Sequence, residues 1–152
     1  LHEPYRRQRQ MCIRDRSVHN DELQACYREI TANEQQWEEY NLEGAEYVIT
    51  AFGTVARIAK SAIVELKEQG INVGLVRPIT VWPFPYDAVK KAAEQPGVKA
   101  VLDVELNEGQ MLEDVKLAIN GAKPVDFFGH LGSQMPTTEE IKAKIISMKE
   151  GK

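Results

Sequence analysis

The 152 residues are 43% hydrophobic and 28% charged, enough apolar content for one sizeable core and most simply a single domain. A net charge of −4 argues against the polyphosphate surface of DNA or RNA as a partner. No run approaches the roughly 18 consecutive apolar residues of a membrane span, and two cysteines are too few for a disulfide framework or a Cys-ligated cluster, which suits a reducing cytoplasm.

The first 16 residues differ from everything after them. They hold five arginines against one Glu and one Asp, a local +3 that leaves −7 for the remainder. They show no helical or strand period and no apolar run long enough for a signal peptide. We expect residues 1–16 to stay out of the core, as a non-native or disordered segment resembling translated adapter sequence, with a native basic arm as the alternative. From about 20 to 42, Leu23, Cys26, Tyr27, Ile30, Trp37 and Tyr40 recur at helical spacing among Glu and Gln. This predicts one long amphipathic helix, a connector over 17–43, with Cys26 packed on its apolar face.

The domain proper is expected over 44–152. "AEYVITAF" (45–52) is a short β-rich run, and Thr54 is a plausible N-cap for a helix over 55–69. That helix carries Val55, Ile58, Ala59, Ala62, Ile63 and Leu66 on one stripe and ends at Gly70. "INVGLV" (71–76) predicts the second strand, followed by a helix from about Pro85 to Glu94. "VKAVLDVE" (98–105) is the third strand. Met111, Leu112, Val115, Ala118 and Ile119 mark the next helix, closed by Asn120-Gly121 before a fourth strand in "PVDFFG". Thr137 and Glu140 are spaced as a capping box for a last helix that buries Ile141, Ile145 and Met148. Four short strands alternating with helices predict a three-layer α/β/α fold with a mainly parallel sheet.

In such sheets ligands sit beyond the carboxyl ends of the strands. The residues singled out by position are therefore Gly53, Thr54 and Arg57; Arg77, Thr80, Trp82 and Phe84; and Glu105, Asn107, Gly109 and Gln110. Gly53-Thr54 could offer backbone N–H groups to an anion, but it is neither G-x-G-x-x-G nor a P-loop, and simple capping is favoured. Arg57 is either an anion clamp or a solvated helix residue. In "ELNEGQ" (105–110) the carboxylates suit loop bracing or an interface better than acid–base catalysis, and Glu108 also suits the positive end of the following helix. His2, His19 and His130 are scattered, so no metal site is proposed. No Gly-x-Ser-x-Gly elbow surrounds Ser133. No catalytic residue is assigned. Pro78 should end its ladder and Pro83 and Pro85 start a helix, making Trp82 and Phe84 a stiff aromatic shelf for a neighbouring domain or subunit, or alternatively core rings.

Together "GTVARIAKSAI", "GLVRPITVWPFP", "ELNEGQMLEDVKLAING" and "GSQMPTTEEI" resemble the C-terminal, transketolase C-terminal-like part of the alpha subunit of 2-oxoacid:ferredoxin oxidoreductases, nearest to the branched-chain type acting on 3-methyl-2-oxobutanoate. The resemblance covers residues 20–149. It matches Gly53, Thr54 and Arg57 to the family's "GT" turn and arginine, Arg77 to Pro85 to its proline-rich exit, and Glu105, Gly109 and Gln110 to its glutamate-to-GQ loop. Ser133 departs from a glycine expected in many relatives. The resemblance implies a complete enzyme that oxidatively decarboxylates a 2-oxoacid to acyl-CoA and reduces ferredoxin. It also implies thiamine diphosphate, magnesium, iron–sulfur clusters and coenzyme A in that enzyme, and partner subunits: a thiamine-binding beta, a gamma and a ferredoxin-like delta. None of these cofactors is expected on this chain, which reads as a fragment inactive alone. A stand-alone flavodoxin-like binding or signalling module is the alternative, as is a fragment with a purely structural role.

Overall fold

Period-2 and period-3.6 segments alternate along the chain, and in a computed structural model they fold as five strands and five helices among residues 13–132 and 134–151, which the structure describes. The expectations for His2, Cys12, the start of the basic segment and Ser133 lie outside the described residues. The chain divides into two units after Gln35. The first contains helix α1, Ile13–Asn33. Its apolar residues are sparse among charges, so Leu23 and Ile30 are only half-buried and Cys26 is exposed rather than packed. Ile13–Arg16, expected to lack regular structure, form its first turn.

The second unit opens on a difference from expectation. The long helix stops at Asn33, and Trp37–Tyr40 form strand β1, antiparallel to the strand that ends at Pro78. Trp37 and Tyr40 are three apart, a spacing a helix shares. What decides the conformation is remote: Glu38 is bridged by Lys60 at 2.5 Å and Arg77 at 3.2 Å, contacts a helix at 20–42 would not make. A local propensity yields here to tertiary pairing.

The remaining elements follow the predicted pattern. They are β2 (Tyr47–Ala51), α2 (Gly53–Glu68), β3 (Val73–Pro78), α3 (Tyr86–Ala93), β4 (Ala100–Glu105), α4 (Gln110–Ile119), β5 (Val125–Gly129) and α5 (Thr138–Glu150). The order across the sheet is β1-β3-β2-β4-β5, with every pair parallel except β1 with β3. Both faces of the sheet are covered. Ile49, Leu75, Leu102 and Val104 pack against Val55, Ala59, Ile63 and Leu66 of α2 and Ile141 and Ile145 of α5. On the other face Val48, Val76 and Val101 meet Val89 and Ala93 of α3 and Val115 and Ile119 of α4. Burying one such aliphatic side chain contributes about 1.5–3 kcal/mol.

Helix ends behave mostly as their sequences require. Thr137 accepts from the Glu140 backbone N–H at 3.2 Å while the Glu140 carboxylate accepts from the Thr137 backbone N–H at 2.9 Å, a complete capping box. Thr54 is a correction: α2 begins two residues earlier than expected, with Phe52 at its N-cap and no side chain capping it. No described helix is long and apolar enough to cross a membrane.

Ile49 lies in the central strand and is wholly inaccessible. Ile49→Ala is expected to cost about 2–5 kcal/mol, read as a lower denaturant midpoint with an unchanged slope in a chemical melt.

Candidate functional site

The chain leaves β2 for β3 on one side, then crosses to β4 on the other side of β2. The connections after β2 and β4 therefore lead to helices on opposite faces, and a crevice opens at their carboxyl ends. A pocket of about 90 Å³ lies there. Phe52 follows β2, Pro78 closes β3, and Val81 and Phe84 come from the proline-rich exit; Glu105 ends β4, and Gln110, Met111 and Asp114 come from the first turns of α4.

Glu105 is 1% exposed. Its carboxylate accepts from the Met111 backbone N–H at 3.1 and 3.0 Å, the Leu112 N–H at 3.0 Å and the Asn107 side-chain amide at 3.0 Å. These backbone donors are among the unpaired N–H groups of the first turn of α4, so a buried charge is matched by hydrogen bonds and by the positive end of the helix. Asn107 reverses the chain between them, its Oδ1 accepting from the Gly109 and Gln110 N–H groups at 2.7 and 2.9 Å. Gly109 sits at φ 96°, a conformation that side chains disfavour. Glu105, Asn107, Gly109 and Gln110 thus form one braced corner. Glu108 is exposed beside it.

Two groups in this region had no assigned role in the sequence reading. Asp103, two residues before Glu105 on the same face of β4, is wholly inaccessible. Its Oδ1 accepts from the Thr50 hydroxyl at 2.7 Å, while Oδ2 has no partner. Burial and the adjacent Glu105 push its pKa up to about 8, against the smaller opposing effect of Thr50. The shift favours the neutral acid over the carboxylate, relative to an aspartate in water. The signal in the sequence was an Asp flanked by the apolar residues Val101, Leu102 and Val104 within one strand. Tyr86 was also passed over: its hydroxyl donates to Asp114 at 2.5 Å, which with partial burial pushes its pKa up to about 12.

The other expected site residues are dispersed. Gly53, Thr54 and Arg57 are exposed at the start of α2. Arg77 points to the opposite face of the sheet, where it pairs with Glu38, and its Nε is buried without a partner. Thr80 braces the exit: its hydroxyl donates to the Pro83 carbonyl at 3.0 Å and accepts from the Gln36 N–H at 3.0 Å. The two rings of the shelf separate. Trp82 is 60% exposed, whereas Phe84 is 3% exposed and packs edge-on against Tyr86 at 5.0 Å. Phe84 is a core ring, because the exit turns inward at Pro83, across a cis Trp82–Pro83 bond, before α3 begins. A second depression, about 260 Å³, lies between Tyr40 and the C-terminal half of α2; its Lys67 and Asn41 bind each other at 3.0 Å.

Residues 45–141 match the family described as pyruvate:ferredoxin oxidoreductase core domain II, over more than half of the chain. The chain belongs to that family. Among curated proteins it is 40% identical over 123 residues to the ketoisovalerate oxidoreductase subunit VorB of Methanothermobacter marburgensis, covering 81% of this chain and 34% of that one. It is 34% identical over 111 residues to the 2-oxoglutarate synthase subunit KorA of Methanocaldococcus jannaschii, covering 73% of this chain and 29% of that one. The chain thus spans about a third of the length of these relatives. In three dimensions it is similar to 2-oxoglutarate:ferredoxin oxidoreductase from Magnetococcus marinus, with a TM-score of 0.73 at 18% identity over 90% of this chain and 24% of that one. A split-gene transketolase matches with a TM-score of 0.60 at 18% identity, covering 72% of this chain and 40% of that one. These structural likenesses establish the transketolase-like α/β/α fold.

The core-domain-II pocket does not fit the cofactors that the sequence resemblance implied for a complete enzyme. Sites for ligands of that size occupy roughly 300–1,000 Å³, several times the volume here. Among the described residues Cys26 is the one cysteine, and no group of three or more His, Cys, Asp or Glu is placed to hold a metal ion. What the site is equipped to do is hold a rigid, partly apolar surface at the mouth of the sheet.

Two outcomes follow from this geometry. Asp103 binds its proton more tightly folded than unfolded, so it favours the folded state fully below about pH 4 and progressively less as the pH rises toward 8. Asp103→Asn, with an amide donor in place of the acid, should flatten that slope and raise the melting temperature at pH 9 by about 5 °C or more, with little change at pH 4, in scans across the range. At Gly129 an added Cβ would lie 2.5 Å from the Asn107 carbonyl oxygen. Gly129→Ala should displace the corner and cost about 1–3 kcal/mol in equilibrium unfolding.

Proposed function

We propose that this chain is the core-domain-II portion of the alpha subunit of a 2-oxoacid:ferredoxin oxidoreductase of the branched-chain type, acting in subunit assembly and in shaping the surroundings of the active site. The whole enzyme converts a 2-oxoacid and coenzyme A to acyl-CoA and carbon dioxide, with the electrons delivered to ferredoxin. The observation that carries the reading is the family match over residues 45–141, joined to 40% identity with a ketoisovalerate oxidoreductase subunit.

Thiamine diphosphate, magnesium, the iron–sulfur clusters and coenzyme A belong, in this reading, to other domains or to the beta, gamma and delta subunits. Helix α1 is the connector to a preceding domain, and the assembly works in the cytoplasm. Gly53, Thr54, Arg57 and Trp82 are exposed and available to neighbouring chains, whereas Arg77 and Thr80 act by fixing the edge strand and the exit. A stand-alone flavodoxin-like module has less support, because the family match covers most of this unit.

The decisive assay places residues 17–152 in a full-length alpha subunit, co-expresses the partner subunits, and measures ferredoxin reduction with branched-chain, pyruvate and 2-oxoglutarate substrates. Reduction is expected, greatest with the branched-chain acid; no reduction with any 2-oxoacid would refute the assignment. In the same complex Trp82→Ala should weaken subunit association about tenfold, as loss of an exposed aromatic anchor does, with the melting temperature of the chain shifted by less than about 3 °C. Equal association with a lowered melting point would instead make Trp82 a folding residue.

A further inference from the structure

The pocket at the carboxyl ends of the strands has three properties that together select its occupant. It is small, about 90 Å³, the scale of one side chain rather than a cofactor. Its walls are apolar, from Phe52, Pro78, Val81, Phe84 and Met111, and its lining includes two carboxylates, Glu105 and Asp114, and no cation. Ile79, Val81, Trp82 and Leu106, at the ends of the same strands, are 51%, 63%, 60% and 36% exposed. Of these Val81 lines the recess itself, and a small recess with exposed apolar residues on the adjoining segments suits an interface anchor point, where neighbouring contacts exclude water from one seated side chain.

We infer that the pocket receives a single lysine or arginine side chain from a partner polypeptide, its methylene stem along the apolar walls and its cationic head at Asp114. The stem is matched to the apolar lining and the head to its charge. Glu105 is committed to the N–H groups of Met111 and Leu112 and to Asn107, so it contributes field rather than a contact. Asp114 is held in place by the Tyr86 hydroxyl on Oδ1. That hydroxyl stays protonated, with its pKa pushed up to about 12, and a neutral donor orients the carboxylate without cancelling its charge. An anionic or purely apolar knob would desolvate Asp114 with no compensating cation.

The inference rests on the reading of the chain as part of a multi-subunit oxidoreductase. Its test uses the co-expressed complex, with the dissociation constant of the subunit carrying this domain measured at low and high ionic strength. Asp114→Asn is expected to weaken association about tenfold and Asp114→Lys about a hundredfold, since a like charge replaces a paired one. The exposed Asp87→Lys on α3 should stay within about twofold. The wild-type constant should rise with salt, and the Asp114→Asn constant should rise less. Unchanged association in Asp114→Asn, or tighter association in Asp114→Leu, would overturn the inference, the latter showing that the pocket takes an apolar knob. If Asp114→Lys lowers the melting temperature of the chain, the near-isosteric Asp114→Asn decides. Ferredoxin reduction by the wild-type complex is scored separately: its absence would refute the enzyme assignment, whereas an active complex indifferent to Asp114→Asn would refute this inference alone.

Discussion

The carboxylate of Glu105, with the Asn107 side chain beside it, joins three parts of the molecule. It stands at the end of β4, it takes the first N–H groups of α4, and with Asn107 it closes the corner between them. A buried carboxylate is costly by itself, and removing its donors would leave an uncompensated charge in the core. Strand end, corner and helix start are therefore interdependent. Met111 and Asp114 reach the pocket from α4, so their positions depend on the same bond set. Asp103, one strand step deeper, has its pKa pushed up to about 8, first by burial and then by the neighbouring Glu105. Two ionised carboxylates on adjacent same-face positions would repel where water cannot screen them, and only the outer one has the helix end to stabilise it.

This arrangement also explains why a crevice that in other doubly wound sheets admits a ligand is narrow here. The helix N-terminus that would face an anion is occupied by the protein's own Glu105, a built-in anion in the place of an external phosphate. At the other side of the switch point, α2 begins with exposed Gly53 and Thr54 and no side-chain cap, so that end is accessible. The fold thus retains the topology of a binding sheet, with a carboxylate of the protein itself on the N–H groups of α4.

Much of this was legible in the sequence, for identifiable physical reasons. The stripe Val55, Ala59, Ala62, Ile63 and Leu66 faces the sheet because nothing but a helix places those positions on one side. The Thr137–Glu140 spacing is a local contact and folds as a local contact. The misread segment was 37–40, where two aromatics three apart imitate a helical stripe and the deciding partners, Lys60 and Arg77, are more than twenty residues away. Cys26 was assigned a packed face because spacing reports where a side chain lies on a helix, not whether anything covers it. Asp103 had a readable signal in its apolar surroundings. The fate of Phe84 had none, because Trp82 and Phe84 have the same period and flanking prolines, and only the turn of the exit separates them.

That separation determines what the proline-rich exit contributes. Pro78 is the last residue of its ladder, and Pro85 stands at the N-cap of α3, so the segment between them has few conformations to lose when a partner docks. The Thr80 hydroxyl removes more of that freedom by tying the Pro83 carbonyl to the Gln36 backbone. Phe84 anchors the inner end in the core beside Tyr86, and Tyr86 in turn holds Asp114. The outward residues Ile79, Val81 and Trp82 are therefore presented on a support whose ordering cost is met during folding. An exposed apolar triplet on a flexible loop would bind weakly, because association would have to supply the ordering. On a preorganised exit the same area is available to association almost undiminished. The segment thus divides at Pro83, with Phe84 packed into the core and Ile79, Val81 and Trp82 exposed outside it.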